Sequence, residues 1–144
     1  MAKLEITGMD DLSAVFGRLQ DVPPDVKTQA LNQMADIAAA GIRRSGEALG
    51  VRDSESSVHI LDKISKSKPK LSPSGGYQDV TFSGTRRRGG TTTRNAEIAF
   101  INEYGKRGQP ARPFIAQAMT ANEEKIAAAG GDVLGDWIEQ EFTK

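Results

Sequence analysis

Two prolines three residues apart, in Gln109-Pro110-Ala111-Arg112-Pro113-Phe114, bar any regular element from running through this stretch. Each proline drives the residue before it, Gln109 or Arg112, away from the helical region. Pro113 also suits the first turn of a helix, where its missing N–H costs nothing. The chain must therefore turn a stiff corner here and can enter a helix at once. A helical pattern does follow, with Ile115, Met119, Ile126 and Val133 on one face. An apolar run ending in Glu103-Tyr104-Gly105 precedes the corner, and Lys106 and Arg107 lie between. Arg112 is held where the two elements meet, and Phe114 anchors the helix at its first turn.

The rest of the pattern predicts an α+β fold: a small antiparallel sheet packed against two N-terminal helices and a C-terminal helix. Residues 3–7 alternate as a short strand, and Met9, Leu12, Phe16 and Leu19 recur at helical spacing. A second helix opens near Pro24, with Val26, Ala30, Met34, Ile37 and Gly41 on one stripe. Its small residues let another backbone approach closely, and Gly46 and Gly50 are natural stops. The sheet is expected mainly from residues 77–84 and 95–105, where Val80/Phe82 and Ile98/Phe100 alternate. Residues 65–76 and 86–94 read as mobile loops, the second a polar, hairpin-like connection. Gly130-Gly131 is expected to kink the C-terminal helix or divide it in two.

At 144 residues the chain suits a single domain. It has no cysteine, which excludes disulfides, thiolate catalysis and cysteine-bound metals. No apolar run reaches the roughly 20 residues of a membrane span, and the N-terminus lacks the apolar core of a secretory leader. His59 is the only histidine and has no partner set in the sequence, so a structural role is expected. With no phosphate loop and no argument for a paired-carboxylate site, neither an enzyme nor a cofactor is expected.

The zero net charge conceals segregation. Residues 1–61 hold 6 basic and 9 acidic side chains, residues 62–112 hold 11 and 4, and residues 113–144 hold 2 and 6. A basic centre thus lies between acidic ends, a pattern that suits nucleic-acid contact or contact between copies of one chain. Arg86, Arg87, Arg88 and Arg94 cluster in the connection between the expected strands and are candidates for DNA or subunit contact. Few aromatics accompany them, which argues against stacking on single strands. For Arg112 two roles stand open: a bond to the chain's own carbonyls, or a fixed anchor for assembly.

The stretch from Phe100 to Met119, "FINEYGKRGQPARPFIAQAM", resembles the signature of a tailed-bacteriophage family of head–tail joining and tail-completion proteins, to which lambda's minor tail protein Z is distantly related. Glu103, Tyr104, Gly105, Pro110, Ala111, Arg112, Pro113 and Phe114 carry the likeness. The order of elements fits along nearly the whole chain. The segment "SSVHILDKI" departs from the family, standing where members often show a Gly-x-Leu element, and so does Gly130-Gly131. The resemblance implies a non-catalytic structural protein of the virion neck or upper tail, assembled in the bacterial host cytoplasm. The implied partners are copies of itself in a ring and other phage neck and tail proteins, with DNA in the channel as a further contact. Glu103, Tyr104, Arg112 and Phe114 are the expected assembly interface. The alternative is a small DNA-binding module using the basic segment 62–112.

Overall fold

The computed structural model describes residues 21–52 and 59–143. The expected strand at 3–7 and the first expected helix lie outside them. The first described helix, α1 (Pro24–Ala48), starts at the proline pair, with Pro23 at the N-cap. It ends in a Schellman motif. Gly50 takes a φ of 71°, its N–H donates to Glu47 O at 3.2 Å, and the Val51 N–H donates to Gly46 O at 2.9 Å. The turn sends Val51 back into the core, where it is buried.

A second long helix, α3 (Phe114–Phe142), lies antiparallel to α1: Gly41 faces Asn122, and Met34 faces Gly130. Small residues are buried along α1, and a Cβ on Gly41 would stand 2.6 Å from Asn122 Nδ2, so the two helices come close together there. Of the two forms expected at Gly130-Gly131, the division into two helices does not occur: α3 runs through both glycines. Each interior glycine costs about 1 kcal/mol in helix propensity, but Val133 and Trp137 continue the buried face beyond them. Gly130 fits under Met34, where a Cβ would stand 2.6 Å from the sulfur.

Between these helices the chain forms two hairpins. Strands β1 (Ile64–Lys66) and β4 (Val80–Phe82) pair antiparallel, with Ile64 opposite Phe82. Further along the same ribbon, β2 (Lys70–Ser72) pairs with β3 (Gly75–Tyr77). The segment 65–76, expected as a loop, therefore holds paired backbone. It rests on α1 through polar contacts: Lys27 Nζ donates to Ser72 O at 2.9 Å, Gln78 Nε2 donates to Asn32 Oδ1 at 2.9 Å, and Lys66 pairs with Asp36. The second hairpin joins β5 (Thr85–Arg88) to β6 (Thr91–Arg94) through Gly89 and Gly90. Both glycines have positive φ, 59° and 82°, as a tight two-residue hairpin turn requires.

The sheet expectation fails at one element. Residues 95–105 do not pair with 77–84; they contain a helix, α2 (Asn95–Tyr104). Short apolar runs carry both periods, and here tertiary partners choose the helix. The helical turn places Asn95, Ala99, Asn102 and Glu103 on the buried side. Asn95 Nδ2 donates to Ser83 O at 2.8 Å and Asn102 Nδ2 to Ile98 O at 2.9 Å, while Asn95 Oδ1 is buried without a partner. The Glu103 carboxylate is satisfied from α3.

The core closes where these elements meet. Leu61, in a 3-10 turn (Ile60–Lys63), and Phe114 are fully buried, and Phe82 stands edge-on to Phe114 at 5.9 Å between ring centroids. Gly46 sits against both: a Cβ there would lie 2.5 Å from Leu61 Cδ2 and 3.2 Å from Phe114 Cδ2. Gly46→Ala is therefore expected to destabilise by about 1–3 kcal/mol, because overpacking outweighs the gain in helix propensity. Gly130→Ala should stay within about 1 kcal/mol of the parent, on the stabilising side, because the flexible Met34 can move aside. Urea denaturation of the two variants measures both.

Candidate functional site

The proline corner is an interlocked joint between α1, α2 and α3. Helix α2 stops at Gly105, whose φ is 78° and whose N–H donates to Ile101 O at 2.8 Å. A Cβ on Gly105 would stand 2.8 Å from Ala111 N and 2.9 Å from Gln109 O, so glycine is required by both conformation and space. Lys106 and Gln109 then exchange backbone hydrogen bonds of 3.0 and 2.9 Å around a tight turn. The returning chain docks on α2, where the Arg112 N–H donates to Asn102 O at 2.6 Å. Pro113 takes φ −76° and ψ 64°, and the Phe114 N–H donates to Arg112 O at 2.7 Å, the geometry of an inverse γ-turn.

Pro113 occupies the N-cap position of α3 and has no side chain that can cap it. Glu103 does so from the preceding helix. One carboxylate oxygen accepts from the Ile115 N–H at 2.7 Å and the other from the Ala116 N–H at 3.0 Å. These are the second and third helical donors, the pair that a local Ser or Asp would otherwise satisfy. The negative charge also meets the positive end of the helix dipole. Arg112 makes the third tie: its Nη1 donates to Gly50 O at 2.8 Å, at the C-terminal turn of α1, where a cation is favoured.

Of the four residues expected at an assembly interface, Glu103 and Phe114 are thus buried inside the chain, and Arg112 is half-buried as a strut to α1. Tyr104 alone stands out, 69% exposed. It packs on Phe100, one helical turn away and 63% exposed, with ring centroids 4.7 Å apart. The described side chains of the arginine cluster differ in exposure and partners. Arg86 is half-buried, Arg87 is exposed, and Arg94 pairs with Glu97 at 2.9 Å. Arg88 lies at the end of β5, beside the Gly89-Gly90 turn.

Beside the joint opens a cleft of about 550 Å³. Arg52, His59, Arg86, Lys106 and Arg112 line it, together with the apolar Val51, Ile60, Ile98 and Ile101. The chain brings these side chains together from four separate segments, so no local sequence pattern announces the cleft. Arg52 is itself braced by Asp62, at 3.0 and 3.2 Å, and by Glu47, at 3.2 Å. Among the described residues no group of His, Asp or Glu could hold a metal ion, and no helix is long and apolar enough to cross a membrane.

Comparison of the chain with family models, with curated proteins and with solved structures gives no match.

Each tie has its own measurable contribution. Glu103→Ala leaves two helix donors without their part-buried acceptor and should cost about 1–2 kcal/mol in urea denaturation. Glu103→Gln keeps one acceptor and should cost less. Arg112→Ala should cost about 1–2 kcal/mol, the worth of a partly exposed charge-assisted bond. The Arg52 guanidinium, chiefly by hydrogen bonding, holds the Asp62 carboxyl below its ordinary value. Its contribution is complete above the unfolded value of about 4 and is lost as pH falls through the lower folded value. Asp62→Asn should therefore flatten the acid side of the stability–pH profile.

Proposed function

We propose that this chain is a structural component of a tailed-phage virion, joining or completing the tail at the head–tail interface as part of a multimeric ring. The observation that carries this reading is the joint itself. Five of the eight residues of the family-like signature have a definite mechanical task in it: Glu103 caps α3, Gly105 lets two backbones touch, Arg112 ties to α1, Pro113 makes the γ-turn and Phe114 fills the core. Such a joint fixes the direction in which α3 leaves the core. The Phe100–Tyr104 pair lies on α2, immediately before the corner, and aromatic side chains are enriched at interface cores.

The DNA-binding alternative is supported by the basic segment 62–112, but two of its arginines are engaged within the chain, Arg94 with Glu97 and Arg112 with Gly50 O. A DNA module would bind duplex as a monomer, with affinity falling steeply as salt rises. Light scattering on the purified protein, followed by electron microscopy, decides between the two. The expected result is one discrete oligomer with ring-shaped particles. A monomer at every concentration would overturn the ring reading. Phe100→Ala and Tyr104→Ala should weaken assembly at least about tenfold while leaving the thermal melt nearly unchanged, since both rings are exposed in the single chain.

A further inference from the structure

The cleft beside the joint combines cationic and apolar lining, and among the described residues no carboxylate lines it. An occupant that matches this lining brings acid and apolar side chains together. A sugar–phosphate backbone brings charge alone and would leave Val51, Ile60, Ile98 and Ile101 without contacts. The distal half of α3 carries both kinds of group. Asp132, Asp136 and Glu139 recur at helical spacing and are exposed. Beside them Leu134, Ile138 and Phe142 form an exposed apolar stripe, 36%, 37% and 49% accessible.

This stripe cannot reach its own cleft. Arg112 lines the cleft two residues before α3 begins, and the stripe spans residues 134–142 of the same continuous helix. At 1.5 Å per residue the helix holds the two roughly 30–40 Å apart. Patch and complement therefore lie at opposite ends of one rigid rod, and only a second copy can bring them together.

We infer that the cleft lined by Arg52, Lys106 and Arg112 receives the acidic distal half of α3 from a neighbouring copy. The inference rests on the ring reading above and names its seam. The contact is heterologous: one patch meets a different patch, and repetition closes into a ring or runs on as a filament. The basic centre and the acidic C-terminal segment of the chain, +7 over residues 62–112 and −4 over 113–144, are then the two sides of the contact.

The test is charge exchange followed by sedimentation velocity. Lys106→Glu alters the cleft, and Asp136→Lys with Glu139→Lys alters the helix; all three side chains are exposed, so folding should survive, with circular dichroism as the check. Each altered protein alone should need at least about tenfold more protein for half-assembly. An equimolar mixture of the two should regain assembly, because each altered cleft then meets an altered helix and each native cleft a native helix. Loss without recovery in the mixture overturns the pairing. An oligomeric parent indifferent to both changes overturns the inference and leaves the ring reading standing. A parent that stays monomeric removes both. If assembly is indifferent while Lys106→Glu abolishes binding of a short fluorescent duplex, the cleft is a phosphate site and the inference fails.

Discussion

The contact on which the rest of the structure depends is the Glu103 carboxylate spread across the first turn of α3. A helix leaves four N–H groups unpaired at its start, and burying them unmatched is expensive. Here the start of α3 is in the core, because Phe114 is fully buried. Proline at the N-cap removes the local solution while supplying the stiff entry. The cap must therefore come from elsewhere, and it comes from the last turn of α2. One side chain thus serves two helices, and the orientation of α2 relative to α3 becomes part of the hydrogen-bonding requirement.

The same logic explains the crowding of glycine around this point. Gly46, Gly105 and Gly130 each lie where a Cβ would come within 3 Å of a neighbour, but the neighbours differ. At Gly105 they are backbone atoms of the returning chain, which cannot move without undoing the turn. At Gly46 they are Leu61 and Phe114, which have nowhere to go. At Gly130 the neighbour is the end of a methionine. Only the first two positions are bound to the joint; the third serves the close approach of α1 and α3 and tolerates more. Gly41 belongs with that approach as well, packed against Asn122, whose Nδ2 donates to Ala118 O of its own helix at 2.7 Å.

Much of this was legible in the sequence, and the failures have a common cause. The proline corner, the helix from Pro24 with its small-residue face, and the Val80/Phe82 strand follow from local rules. The run from Asn95 to Tyr104 does not. Its alternation suits a strand as well as its spacing suits a helix, and the deciding facts are the partners of Asn95 and Glu103, 12 residues away in opposite directions. The glycine pair at 130–131 reads as a break until Met34 is seen above it. The loop at 65–76 reads as unstructured because its ties to α1 are polar and distant, Lys27 reaching 45 residues ahead to Ser72. Phe114 was legible as the anchor of its helix, but Glu103 was not legible as internal, since a strand ending at the surface and a helix capped from within share the same letters. Nothing in the local pattern links Arg52 to Arg86, Lys106 or Arg112, so the cleft appears only in three dimensions.

Stiffness at the joint has a consequence that scales with the length of α3. The helix has 29 residues and is about 43 Å long at 1.5 Å per residue. A change of one degree in its exit angle would move its far end by about 0.8 Å over that length. Displacements of 0.5–1 Å already forfeit roughly a quarter to a half of a van der Waals contact. Any surface formed jointly by the joint and the distal end of α3 therefore needs the exit angle held to about a degree. Packing against α1 fixes the rod along its length. Three ties fix its base from different sides: a carboxylate from α2, a guanidinium reaching the end of α1, and the fixed φ of Pro113. No one of them removes every rotation, and together they leave the base of the rod little freedom. That is a mechanical property useful to a subunit repeated around an axis, where each exit angle is inherited by the next copy.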